Sequence, residues 1–170
     1  LKNIHTQYNS YEFMHYTKAE VAAIDLTRTY TQTAKNLVVH KPNGLWLSIV
    51  GISDWENYCI KTETDLEKLK SEFQIMLKPD AKILYLYNND VFQKFLKKYG
   101  YYAEGIVEHN VNDTPELSIR WERIIANYQG IVVSIVMPYL HNIGSWRYTW
   151  CCTSACIWDL QAVERAIKLC

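Results

Sequence analysis

Short apolar blocks separated by turn residues run through the chain, and their spacing predicts many brief strands broken by four or five helices. Tyr11 to Tyr16 (YEFMHY) reads as a strand. Lys18 to Leu26 (KAEVAAIDL) reads as a helix, with Thr17 placed to cap it. Leu37 to His40 reads as a strand ending at Lys41-Pro42-Asn43-Gly44, where proline fixes one φ and Asn-Gly accepts a turn. Leu45 to Val50 (LWLSIV) follows as a strand and hairpin partner. Ser53 to Ile60 reads as a helix with Ser53 as cap and Glu56 three residues on, the capping-box spacing.

The same reading continues to the C-terminus. Leu66 to Phe73 reads as an amphipathic helix, and Phe73 to Leu77 and Ala81 to Tyr87 as strands. Asn89 to Tyr99 carries Val91, Phe92, Phe95 and Leu96 on one face and stops at Gly100, which predicts a helix. Ile119 to Tyr128 repeats Trp121, Ile124, Ile125 and Tyr128 at helical spacing, marking core positions. Gly130 to Val136 is a β-branched run and a buried strand. Trp146 to Cys151 and Ser154 to Trp158 read as aromatic-rich strands, and Asp159 to Leu169 as a last helix. Irregular alternation of this kind predicts an α+β fold, with residues 1–170 forming a single domain.

Composition narrows the function classes. Of 170 residues, 49% are hydrophobic and 21% charged, a globular balance. Eighteen basic and 18 acidic residues cancel, which argues against a partner recruited by bulk phosphate attraction. No apolar run approaches the roughly 18 residues needed to span a bilayer, and no signal peptide is visible, so the expectation is a cytoplasmic protein with no membrane partner. The five cysteines show no C-x-x-C pair, and the vicinal Cys151 and Cys152 are poor disulfide formers. Cys152-x3-Cys156 near His141 is too loose for a convincing zinc site, so no metal is expected. No phosphate-cradling glycine motif occurs.

Three segments carry candidate chemistry: His15-Tyr16-Thr17; Gly44-Leu45-Trp46-Leu47-Ser48 followed by Ser53-Asp54-Trp55-Glu56-Asn57-Tyr58-Cys59; and Thr153-Ser154-Ala155-Cys156-Ile157-Trp158-Asp159-Leu160-Gln161-Ala162-Val163. In this order they resemble the catalytic domain of the ADP-ribosyltransferase superfamily, in its diphtheria-toxin and poly(ADP-ribose) polymerase branch. There a histidine motif ending in serine or threonine is followed by a block like G-I-Y-F-A, then S-A-N-Y, then a glutamate before an apolar strand. The middle segment also looks like bacterial and viral sequences with a Lys-Pro-x-Gly-Leu-Trp motif.

The resemblance implies a split, mostly antiparallel sheet and NAD as substrate. It implies that His15 bonds a ribose hydroxyl and Thr17 holds the nicotinamide carboxamide. Trp46 matches the middle tyrosine, Tyr58 matches the tyrosine that stacks on nicotinamide, and Ser48 lines the pocket. The implied catalytic set is His15, Trp46 and Ser154, with Tyr16, Thr17, Ser48, Trp55 and Tyr58 joining His15 in binding. Aromatic walls grip a flat leaving group without charge, and placement supplies much of the rate. Ser154 stands where the family has its glutamate, leaving Glu122 or Glu56 as the nearest acids.

The expected function is transfer of one ADP-ribose unit to a protein or nucleic-acid acceptor. The alternatives are an inactive nucleotide-binding or interaction module of the same fold and an RNA 2′-phosphotransferase-like enzyme. A Cys–His hydrolase using Cys59 or Cys156 with His40, His109 or His141 is a further reading. For each aromatic residue, packing is the competing role.

Overall fold

Seven strands form one sheet, and the order in which they lie brings distant parts of the sequence together. The structure is a computed structural model that describes residues 11–33, 41–51, 53–102, 117–135 and 150–169. In chain order the elements are β1 (Phe13–Thr17), β2 (Leu45–Ile49), α1 (Trp55–Thr62), β3 (Ser71–Leu77), β4 (Ile83–Leu86), α2 (Asn89–Tyr99), β5 (Gly100–Tyr102), β6 (Leu117–Ile119), α3 (Trp121–Ile125), β7 (Gly130–Val133), β8 (Ser154–Ile157) and β9 (Val163–Lys168). The sheet runs β4-β7-β8-β2-β1-β3-β9, with β5 and β6 as a separate ribbon. Among the described residues, β4 and β7 form the one parallel pair, so the α+β, mostly antiparallel architecture is present. The seven strands are joined in a single ladder rather than divided into two sheets.

That ladder nevertheless opens at its centre. Strands β1 and β2 pair through Phe13 with Ile49 and Met14 with Ser48, and then the pairing stops. Beyond it, β1 continues against β3 as far as Thr17 and Ser71. Likewise β2 continues against β8 to Leu45 and Ile157.

Each face of the sheet buries its own core, because side chains alternate along a strand. Leu45, Leu47 and Ile49 pack on one face with Phe13, Phe73, Ile75, Ala155 and Ile157. Trp46 packs on the other, with α2, α3, Trp150 and Trp158. Helix α2 forms as the pattern predicts. Asn88 caps it by accepting from the Val91 N–H at 2.9 Å, and Phe92, Phe95 and Tyr99 are buried. In α3, Trp121 and Ile124 are buried, as their spacing predicts.

Several expected helices give way to tertiary pairing. Residues 18–26 are bends and turns. Thr17 belongs to β1, and its hydroxyl donates to the Ala19 carbonyl at 2.6 Å instead of accepting from a helix N–H. Leu66–Leu69 is a single 3-10 turn; Ser71, Phe73 and Ile75 then alternate inward in β3. The last segment makes one 3-10 turn, Leu160–Ala162, and then pairs with β3 as β9. The helix expected at Ile119–Tyr128 contracts to Trp121–Ile125 because Ile119 pairs with Gly100. The strand at Leu37–His40 lies outside the described residues, as does most of Trp146–Cys151.

Gly44 leads into β2 with no room for a side chain. A Cβ there would stand 2.6 Å from the Cys156 Sγ and 2.6 Å from the Ile157 carbonyl oxygen. The oxygen belongs to the β8 backbone and cannot yield. Gly44→Ala is expected to cost about 1–3 kcal/mol and lower the thermal midpoint by several degrees in calorimetry. An unchanged midpoint would mean that this loop is not held against β8.

Candidate functional site

The three motif segments lie on three adjacent strands, β1, β2 and β8. His15 sits where β1 leaves β2. Its Nδ1 meets the Trp46 carbonyl oxygen at 2.8 Å. A carbonyl can only accept, so Nδ1 carries the proton and Nε2 presents a lone pair. Burial holds the imidazole pKa below its usual value, against the opposing pull of the Trp46 carbonyl, and the ring is neutral at pH 7.

His15 and Trp46 both line a cavity of about 340 Å³. Its other walls come from the segment after β1 and from the turn before β2, including Ile24, Arg28, Tyr30 and Asn43. The two walls are tied together. The Gln32 Nε2 donates to the Asn43 carbonyl at 2.6 Å, and the Asn43 N–H donates to the Gln32 Oε1 at 2.8 Å. The Arg28 guanidinium lies 5.0 Å from the Tyr30 ring centre and brings a cation to the cavity. Arg28 and Tyr30 carry no local sequence signal; they follow a stretch whose pattern reads as helix.

The remaining site candidates form a second group around the start of α1. Ser48 and Ser154 are paired across β2 and β8. The Ser48 Oγ accepts from the Trp55 N–H at 2.8 Å, pinning the helix to the sheet. The Trp55 and Tyr58 rings stack 5.5 Å apart. The cap of α1 is Asp54, one residue later than expected, because Ser53 adopts a left-handed φ of 48°. The Asp54 carboxylate accepts from the N–H groups of Asn57 and Gly51 at 2.8 and 2.9 Å. Tyr16 reaches the same helix, its hydroxyl 3.5 Å from the Glu56 Oε2. Ser154 is buried, and its hydroxyl donates to the Cys152 carbonyl at 3.1 Å.

The structure therefore brings His15 and Trp46 to one cavity, and Ser48, Ser154, Trp55 and Tyr58 to a neighbouring cluster. By strand alternation His15 shares the sheet face of Phe13, Leu45 and Leu47, whereas Trp46 and Ser48 project from the opposite face, so the two groups stand on opposite faces and meet only at the opening between β1 and β2. Thr17 does not line the cavity, and its hydroxyl is engaged in its own turn. Glu56 stands at the second group, while Glu122 is exposed on α3 in another part of the fold.

The cysteines divide sharply. Cys156 is fully buried, donates to the Pro42 carbonyl at 3.3 Å, and has its thiol pushed up by burial. Burial also raises Cys59. Cys151 is exposed and drawn down to about 6, first by the hydrogen bond from Cys152, then by Lys41 and the Tyr58 hydroxyl. The Tyr58 hydroxyl is raised in turn, first by the Cys151 charge. The histidines considered as bases for a cysteine nucleophile lie outside the described residues. Among the described residues no group of three or more His, Cys, Asp or Glu is placed to hold a metal ion. No helix among them is long and apolar enough to cross a membrane.

Comparison with protein-family models, with curated proteins and with solved structures finds no match.

Two predictions follow from these ionisations. Because the His15 pKa is lowered on folding, the unfolded chain binds the proton more readily than the folded one between the two values. His15 thus contributes stability that is present above about pH 6.5 and is lost as the pH falls below it. Unfolding midpoints should drop more steeply from pH 7 to pH 5 in the wild type than in His15→Gln; parallel curves would contradict the assignment. Brief iodoacetamide treatment at pH 7 should alkylate Cys151 well ahead of Cys59, Cys152 and Cys156, read by peptide mass mapping.

Proposed function

We propose that this chain is an ADP-ribosyltransferase-like protein that binds NAD at the opening between β1 and β2 and transfers one ADP-ribose unit to a macromolecular acceptor. The observation that carries this reading is the His15 ring, anchored through Nδ1 to the Trp46 carbonyl and left with a neutral acceptor at the cavity. That acceptor suits a ribose hydroxyl, as the sequence resemblance implies for His15. The cavity volume of about 340 Å³ lies within the range of small-molecule clefts. Arg28 at its wall suits a phosphate of the dinucleotide. The stacked Trp55 and Tyr58, held to β2 through Ser48, lie on the other face of the sheet and in this reading meet a nicotinamide ring that passes through the opening between β1 and β2.

Loss of nicotinamide leaves positive charge on the ribose, which an anion must stabilise. Ser154 offers no charge, and its hydroxyl is committed to Cys152. Glu56, beside Trp55 and within reach of Tyr16, takes that role in this reading. The committed Ser154 hydroxyl also favours a second reading, a module of the same kind that binds NAD without turnover.

Thermal shift with NAD and a nicotinamide-release assay separate the two. NAD is expected to raise the unfolding midpoint, and His15→Ala is expected to abolish the rise, a loss of about tenfold or more in affinity. Release that disappears in Glu56→Gln while the shift persists supports transfer; a shift with no release supports the module. A His15→Ala protein that responds like wild type sinks the site assignment.

A further inference from the structure

A second groove, of about 780 Å³, lies between the entry to β4, the C-terminal end of α2, and α3 with its following turn. It shares no lining residue with the His15 cavity. Lys82, Lys98 and Arg123 line it against one carboxylate, Asp80. All three cations are exposed, and none of them forms an ion pair among the described residues, where Lys68 with Asp65 is the pair present. Lys98 and Arg123 occupy the last turns of α2 and α3, where the carbonyl ends hold a cation without an acid.

The backbone that carries the lining residues is held by hydrogen bonds. The Gln129 N–H donates to the Lys82 carbonyl at 2.7 Å, and the Lys82 N–H donates to the Gln129 Oε1 at 3.0 Å. The Gln129 side chain continues to Asp159 at 2.9 Å. The Trp158 indole donates to the Tyr128 carbonyl at 2.7 Å, and the Asn127 amide donates to the Arg123 carbonyl at 2.7 Å. Tyr128 is half-buried and lines the groove together with the buried Tyr99, to which its hydroxyl is hydrogen-bonded. Lys98 lies 4.9 Å from the Tyr99 ring centre.

We infer that this groove binds a small polyphosphate of the nucleotide class, a nucleoside diphosphate, with its phosphates among Lys82, Lys98 and Arg123 and its ring system against Tyr128. Three cations against one lining carboxylate leave the groove net positive, which favours a multiply charged anion such as a diphosphate over a single carboxylate ligand. The volume lies within the range of small-molecule sites, about 300–1,000 Å³. A nucleic-acid strand would need a basic track extending past these residues.

Isothermal titration of the full chain at low ionic strength, with ADP and with inorganic pyrophosphate, tests this. Both probes are expected to bind the wild type, to bind less tightly as salt screens the cations, and to weaken about tenfold or more in Lys82→Glu with Arg123→Glu. His15→Ala is expected to leave pyrophosphate binding unchanged. The pair Lys82→Gln with Arg123→Gln removes the charges without adding repulsion, and circular dichroism checks that each variant folds. The inference is overturned if neither probe binds, if pyrophosphate binds and ADP does not, or if both charge variants keep wild-type affinity. It is also overturned if ADP binding depends on His15 alone, or if a single-stranded oligonucleotide displaces ADP at lower concentration than pyrophosphate does.

Discussion

The parting of β1 from β2 after Met14 and Ser48 is the constraint on which the candidate site depends. A paired strand interior has its backbone groups engaged and leaves no space for a ligand between neighbours. Where pairing stops, carbonyls are freed and must find other donors. His15 answers that need for Trp46, so one contact both satisfies the backbone and fixes the imidazole. The same bond selects the tautomer. Without the opening, Nδ1 would have no carbonyl within reach, and the ring nitrogen available to a ligand would be undetermined.

Strand β2 turns that local event into an arrangement. Its odd-numbered residues are sealed into the core shared with β3 and β8, which turns Trp46 and Ser48 to the opposite face of the sheet, where Trp46 packs on the second core and Ser48 is buried. Ser48 then holds the first N–H of α1, and Asp54 closes the turn before the helix. The orientation of Trp55 and Tyr58 follows from these capping bonds. Beyond the caps, the Tyr58 hydroxyl meets Cys151, Lys68 lies over the Trp55 ring, and Cys59 is the helix's buried residue. A short helix is marginal on its own, so the aromatic pair is only as fixed as the caps and contacts that hold it.

Much of this was legible in the sequence where local and tertiary preferences agree. Asn88, the apolar stripe of α2 and Gly100 give the same answer from capping, periodicity and termination, and the helix spans the expected residues. The β-branched run at Gly130 and the LWLSI block likewise formed strands. The reading failed where pairing partners decide. Val163 to Lys168 contains good helix formers, yet it forms an edge strand because β3 offers a free ladder. Phe73 to Leu77 formed the expected strand, but the first residues of β3, Ser71 and Glu72, were read into the charged helix before it. Arg28 and Tyr30 could not be read as site residues, since only the bends after β1 bring them over His15. The adjacency of the three motif strands was implicit in their order, while the opening between two of them was not.

Charge offers the sharpest case of what composition conceals. Eighteen basic and 18 acidic residues sum to +0, and that sum argues against anionic partners only if the charges are evenly mixed. They are not. Glu56, Glu72 and Asp54 gather around Tyr16 and raise its hydroxyl pKa, after burial itself. On the far side, Lys82, Lys98 and Arg123 meet a single acid. Electrostatic attraction acts over about a Debye length, ~8 Å at physiological ionic strength. A ligand in either region therefore senses its immediate neighbours and not the total. Separation of this kind gives a chain of zero net charge two regions of opposite character. The acidic one borders the residues proposed to stabilise a developing cation, and the basic one is open to an anion.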